Sequence, residues 1–198
     1  HSRLAILDLD PRSNQPYNVG TGELVFNGEI YNYRELAATL ENDGHRLRST
    51  GDTEVLALLL AAEGSAALER CEGMWALAWY SPQDGSLLLA RDRFGEKPLL
   101  VPRAIDGGVY FASEATFLAA LLGRPLRPNL RHVRRFLVNG YKSLHKTRET
   151  FFEGVETLPG GHVGLVSSEG LWTESPWWTP RFGPESDISF EEAVAGTR

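Results

Sequence analysis

Polar and apolar residues change period several times along this chain, and each period predicts an element. Residues 4–7 are an apolar run that reads as a strand, and 23–31, which contain Asn27-Gly28, read as another. A helix follows. Leu36 and Leu40 share one face, Asn32 and Glu35 have capping-box spacing, and Gly44 stands where the helix should end. Asp52 is placed to cap a second helix that carries Val55, Leu56, Leu59 and Leu60 and stops at Gly64. Residues 74–80 are apolar on both faces, and Asp84-Gly85 turns the chain into a strand over 86–90. Residues 99–103 and 109–112 form a pair around Asp106-Gly107-Gly108, and Ser113 and Glu114 open a short helix running to Leu121. A basic helix over 131–137 and a hairpin over 161–172, turning at Glu169-Gly170, complete the series. Residues 172–184 read as a linker or an edge, and Phe190 opens another unit.

Hairpins and helices thus come in blocks, without strict strand–helix–strand alternation. A strand that is apolar on both faces needs cover on both. The expectation is an α+β fold in which two antiparallel sheets stack with helices outside.

Composition narrows the function. The 198 residues carry 20 basic and 26 acidic side chains, a net charge of −6, which disfavours a general nucleic-acid binder. No stretch is apolar for long enough to cross a bilayer. A single cysteine, Cys71, rules out an intrachain disulfide and a four-cysteine zinc site, and suits a cytoplasmic location. His45, His132, His145 and His162 lack metal-ligand spacing, so no metal is expected. Arg124, Arg127, Arg131, Arg134 and Arg135 read as a solvated helix face, with docking to another domain or to a phosphate-bearing ligand as the alternative. The chain begins inside an apolar run and stops just after a helix start, and both ends are expected to be cuts through a longer protein.

Several residues could carry chemistry. Asn27-Gly28 is a strong hairpin-turn signal, but a side-chain amide beside a backbone N–H also suits an oxyanion site. A free amino acid needs a cation for its carboxylate and an anion for its ammonium; Arg3, Asp52 and Glu29 are the right types. Cys71 has no His or Lys within five residues and reads as a small buried hydrophobe.

Read in order, several motifs are collinear with one family. They are His1-Ser2-Arg3-Leu4-Ala5-Ile6-Leu7-Asp8, Phe26-Asn27-Gly28-Glu29-Ile30-Tyr31-Asn32, Gly51-Asp52-Thr53-Glu54-Val55 and Gly73-Met74-Trp75-Ala76-Leu77-Ala78. They continue through Ala90-Arg91-Asp92-Arg93-Phe94-Gly95-Glu96-Lys97-Pro98-Leu99, Phe111-Ala112-Ser113-Glu114, Phe152-Glu153-Gly154-Val155 and Leu158-Pro159-Gly160-Gly161-His162. This resembles the N-terminal class II glutamine amidotransferase domain of the glutamine-hydrolysing asparagine synthetases. The resemblance implies an N-terminal-nucleophile hydrolase fold, a four-layer αββα sandwich. It implies an amidotransferase domain over 1–180 that lacks its N-terminal nucleophile segment, and a linker leading into a synthetase domain over 181–198.

The resemblance also implies roles. Arg3 grips the carboxylate of L-glutamine, Asp52 with Glu29 takes its ammonium, and Asn27 with the Gly28 N–H forms the oxyanion hole. Leu4, Ala5, Ile6 and Leu7 line the pocket through their backbone. No cofactor is implied in this domain; ATP and Mg belong to the C-terminal synthetase domain of the same chain, which takes up the ammonia and amidates aspartate. A homodimer is one assembly left open, and neither nucleic acid nor membrane is an implied partner. The family's nucleophile is an N-terminal cysteine ahead of the motif that opens this chain, so the fragment as it stands is expected to be inactive. Gly160 stands where the family commonly has a second proline. The alternative is a non-catalytic, amidotransferase-like scaffold of a lactam-forming relative.

Overall fold

The computed structural model describes residues 7–102, 108–141, 144, 147–180, 183 and 189–196. The first strand pair is β1 (Tyr17–Asn18) and β2 (Glu23–Ile30). Two helices follow, α1 (Tyr33–Asn42) and α2 (Asp52–Glu63), then a 3-10 stretch over Gly64–Arg70. Next come β3 (Gly73–Ser81), β4 (Ser86–Arg91), β5 (Leu100–Pro102), α3 (Ala115–Leu121) and α4 (Leu130–Asn139). The chain continues through β6 (Val155–Thr157), β7 (His162–Val166), β8 (Trp172–Pro176) and α5 (Phe190–Gly196).

Six strands form one antiparallel sheet in the order β1-β2-β3-β4-β7-β8, while β5 and β6 form a second, two-stranded one. The α+β class and the stacked sheets therefore hold, with a second sheet much smaller than the first among the described residues. Of the predicted pairing of 99–103 with 109–112, the described residues keep the bridge between Leu100 and Ala112 on one edge of β5, and β6 pairs with its other edge. The predicted turn at Asp106-Gly107 lies outside the described residues.

The large sheet is buried unequally on its two faces. Trp75, Leu77 and Trp79 of β3 join Leu24, Phe26 and Ile30 of β2 against Leu36, Leu40, Val55, Leu56, Leu59 and Leu60 of α1 and α2. Helix α2 lies in this layer and is buried on most sides, which accounts for its apolar residues lying beyond one stripe. At the middle of β3 the opposite face carries the small Ala76 and Ala78, packed with Leu89, Leu99 and Leu158. Large side chains on one face and small ones on the other leave room above β2 and β3, and that room becomes the cleft described below.

Two predicted caps are corrected. Asp52 is the first residue of α2, with Gly51 as N-cap, and its carboxylate turns toward β2. Asn32 stands at the N-cap of α1 but makes no side-chain capping bond. Its Nδ2 donates to the Arg70 carbonyl at 2.9 Å and its Oδ1 accepts from the Glu72 N–H at 3.0 Å, so a long-range clasp displaces the local one. Of residues 172–184, β8 is an edge strand, and Trp177 after it stacks on Trp75 at 5.7 Å between centroids and donates its indole N–H to the Arg91 carbonyl. Among the described residues no helix is long and apolar enough to cross a membrane.

Candidate functional site

Asn27-Gly28 is not a turn. It lies inside β2, with Asn27 opposite Ala76 and Gly28 opposite Trp75 of β3. The direction of the backbone donors follows from their partners. The Phe26 N–H donates to Gln15 Oε1 at 2.6 Å and the Ile30 N–H donates to Asp52 Oδ2 at 3.0 Å, so both point to the edge of β2 away from β3. Donors two residues apart on a strand point the same way, which places the Gly28 N–H on that edge between them. The opposing residue agrees: the Trp75 carbonyl accepts from the Asp92 N–H and the Trp75 N–H donates to Asp92 Oδ2, both on the β4 side. Strand β1 reaches only Leu24 and Glu23, so among the described residues the Gly28 N–H faces an unfilled gap. From Phe26 to Ile30 this stretch of edge is about 13 Å long.

Glycine is required at position 28. A Cβ there would lie 2.1 Å from the Met74 carbonyl oxygen and 2.7 Å from the Trp75 Cα, so any side chain would push β2 off β3.

The Asn27 side chain, on the other face from the helices, lines a cleft of about 870 Å³ with Val25, Ala76, Ala78, Phe111, Ser113 and Phe117 among its walls. Its Nδ2 donates to Ser113 Oγ at 3.0 Å. An amide donor lining the cleft and a backbone donor on the strand edge thus come from consecutive residues of β2, and two such donors are of the kind that stabilises negative charge on a substrate oxygen.

Asp52 closes one end of the gap. It is 6% exposed; burial raises its pKa, the Ile30 N–H works against that rise, and the charge of nearby Glu29 adds to it. Two carboxylates next to each other, one of them buried, form a place where an ammonium is favoured: a cation relieves both the repulsion and the desolvation. Segment 7–8 is held to the same corner, since Asp8 Oδ2 accepts from the Thr50 N–H at 2.8 Å, two residues before Asp52. Asp8 is a residue that sequence reasoning missed, and its positive φ of 43° marks a tight local bend. Arg3, Leu4, Ala5 and Ile6 lie outside the described residues; Leu7, half-buried, is the one member of that predicted segment among them. Asn27, Gly28 and Glu29 are thus consecutive on β2, and Asp52, at the start of α2, reaches the same strand through the Ile30 N–H.

Cys71 belongs to the helical core. It is 1% exposed, its Sγ donates to the Ala67 carbonyl, and burial pushes its thiol up to about 12, so it is neutral and inaccessible. The arginine cluster splits: Arg131 and Arg135 pair with Glu149, while Arg124, Arg127 and Arg134 are exposed.

A second feature without an assigned role in the sequence is the loop after β4. The buried Asp92 carboxylate accepts from the N–H groups of Trp75, Phe94, Glu96 and Lys97 at 3.0–3.2 Å. Arg91 donates to the carbonyls of Gly95, Lys97 and Leu158. Gly160 lies against this loop. A Cβ there would meet the Gly95 nitrogen at 2.6 Å, which explains glycine at that position.

Comparison with known proteins points one way. Residues 1–178 match the glutamine amidotransferase domain family. The chain is 35% identical over 182 residues to glutamine-hydrolyzing asparagine synthetase 2 of Bacillus subtilis (strain 168), covering 88% of this chain and 24% of that protein. It is 37% identical over 181 residues to glutamine-hydrolyzing asparagine synthetase 2 of Arabidopsis thaliana, covering 90% and 26%. It therefore spans about a quarter of the length of these relatives. Among solved structures, glutamine phosphoribosylpyrophosphate amidotransferase from B. subtilis, complexed with ADP and GMP, superposes with a TM-score of 0.57 at 20% identity over 82% of this chain and 30% of that one. A structure of the allosteric regulatory enzyme of purine biosynthesis gives 0.59 at 20% identity, covering 85% and 32%. At that identity the two structures show a shared fold.

Proposed function

This chain belongs to the glutamine amidotransferase domain family, and on that premise we propose that it is the glutaminase part of an ATP-dependent asparagine synthetase, releasing ammonia from glutamine to amidate aspartate. The observation that carries the reading is the Gly28 N–H on a strand edge that β1 does not reach, next in sequence to the cleft-lining Asn27 amide, with Asp52 bound to the Ile30 N–H of the same edge.

In the full-length protein a cysteine thiolate ahead of His1 attacks the side-chain carbonyl carbon of glutamine. The carbonyl π electrons move onto oxygen, and the oxyanion accepts from Asn27 Nδ2–H and Gly28 N–H. The intermediate collapses, the C–N bond breaks, and ammonia leaves after taking a proton. Water then cleaves the thioester to glutamate and restores the thiol. Arg3 grips the substrate carboxylate and the backbone of residues 4–7 lines its side chain. Asp52 and Glu29 take the ammonium, whose arrival favours the ionised form of Asp52. Cys71 has no part in this. ATP and Mg serve the synthetase part, and a cytoplasmic location suits a protein whose reactive group is a free thiol.

The test is glutamate release by the full-length protein. Asn27→Ala lowers kcat about 100-fold or more, with KM for glutamine little changed, because the donor is used mainly in the transition state. Unchanged turnover in that variant would refute the assignment.

A further inference from the structure

We propose that Ser113 is a positioning residue for the oxyanion site, its hydroxyl holding the Asn27 amide with one N–H free to meet a developing negative charge. This rests on the reading of Asn27 and Gly28 given above.

The last torsion of an asparagine side chain is broad and two-fold, so the amide can present either its donors or its carbonyl oxygen to a cavity. For an oxyanion the two faces are opposite in effect: Nδ2–H attracts the charge and Oδ1 repels it. Ser113 Oγ accepts one of the two Nδ2 hydrogens at 3.0 Å. The amide is planar, so fixing one of those hydrogens aims the other.

The hydroxyl is itself well held. Ala112, just before it, exchanges two backbone hydrogen bonds with Leu100, at 2.8 and 3.1 Å. Just after it, α3 begins at Ala115 and is anchored by the fully buried Leu118. Ser113 reaches Asn27 from 86 residues away in sequence, and both line the same cleft. A neutral hydroxyl adds no charge that would compete with the substrate oxygen. Orientation fixed before the reaction also needs no rearrangement during it.

The experiment is a double-mutant cycle on the full-length protein, read as steady-state glutamine hydrolysis. Ser113→Ala lowers kcat about tenfold with KM within about twofold, a fraction of the loss expected on removing the donor outright. Ser113→Thr, which keeps the hydroxyl, restores most of the rate. In an Asn27→Ala background Ser113→Ala costs nothing more, because no amide is left to orient. A serine that merely held α3 against the sheet would exact its cost in both backgrounds and lower the unfolding midpoint. Full activity in Ser113→Ala, or an equal loss in both backgrounds, overturns the positioning role while leaving the oxyanion site standing. Full activity in Asn27→Ala overturns the site, and this proposal with it.

Discussion

Asp52 and Asp92 are both buried carboxylates, 6% and 1% exposed, and the chain surrounds them in opposite ways. Asp92 accepts four backbone N–H groups, from Trp75, Phe94, Glu96 and Lys97, and the guanidinium of its neighbour Arg91 ties down three carbonyls of the surrounding loop and of Leu158. Its capacity is spent inside the fold. Asp52 accepts the Ile30 N–H, has the Thr53 hydroxyl at 3.5 Å and faces the backbone N–H groups at the start of α2, while burial, and after it the Glu29 charge, raise its pKa. The first arrangement closes a loop onto β3 and β4. The second holds a buried anion with backbone N–H groups of Ile30 and of the first residues of α2, and no cationic side chain pairs with it among the described residues.

The contrast breaks first at Asp92. Asp92→Ala strands several buried donors at once and lowers stability by about 3 kcal/mol or more, read as a fall in the urea midpoint at unchanged slope. A loss under about 1 kcal/mol would remove its structural role. Asp52→Asn is expected to do the reverse: stability moves by no more than about 1 kcal/mol, since an amide is cheaper to bury than this anion. Glutamine KM in the full-length protein rises about 100-fold as the ammonium loses its charged partner. The smallest effect separates the two ends of the corner around α2. The Thr50 N–H, foremost among its contacts, holds the Asp8 carboxyl at about 2, against an ordinary 3.8. Its contribution to stability is present above pH 4 and disappears as pH falls toward 2, so the penalty of Asp8→Asn fades over that window. Asp52 is shifted upward by burial, so its sign is opposite. The wild type loses ground to Asp52→Asn as pH climbs from 4 through the raised pKa. Unfolding measured at pH 3, 5 and 7 for both variants checks the two slopes.

Much of the layering was legible in sequence because it is local. Period, turn dipeptides and stop glycines gave α1, α2, the β3–β4 turn at Asp84-Gly85 and the β7–β8 turn at Gly170. What failed depended on partners far away. Asn27-Gly28 carries a turn signal, yet pairing with Ala76 and Trp75 holds it extended. Asn32 has the right spacing for a cap, yet its amide is taken by Arg70 and Glu72. The run Trp75-Ala76-Leu77-Ala78-Trp79 announced burial on both faces. That the two alanines would open a cleft is a matter of volume, not hydrophobicity. Asp92 and Ser113 sat inside recognisable motifs, but their roles exist only once β3, β4 and α3 are assembled. Residue chemistry offered Asp52 and Glu29 as anions and Asn27-Gly28 as donors, but their common neighbourhood around β2 could not be read from the sequence.

The edge of β2 also bears on self-association. A strand edge beyond the reach of its neighbour, as β2 is past Leu24 among the described residues, offers a ladder of donors and acceptors on which another polypeptide can add, a usual first step toward aggregation. Here the Gln15 and Asp52 side chains occupy the donors on either side and interrupt the ladder at both ends. Among the described residues, a single backbone amide between two such side-chain plugs is too short a stretch to template a neighbouring strand.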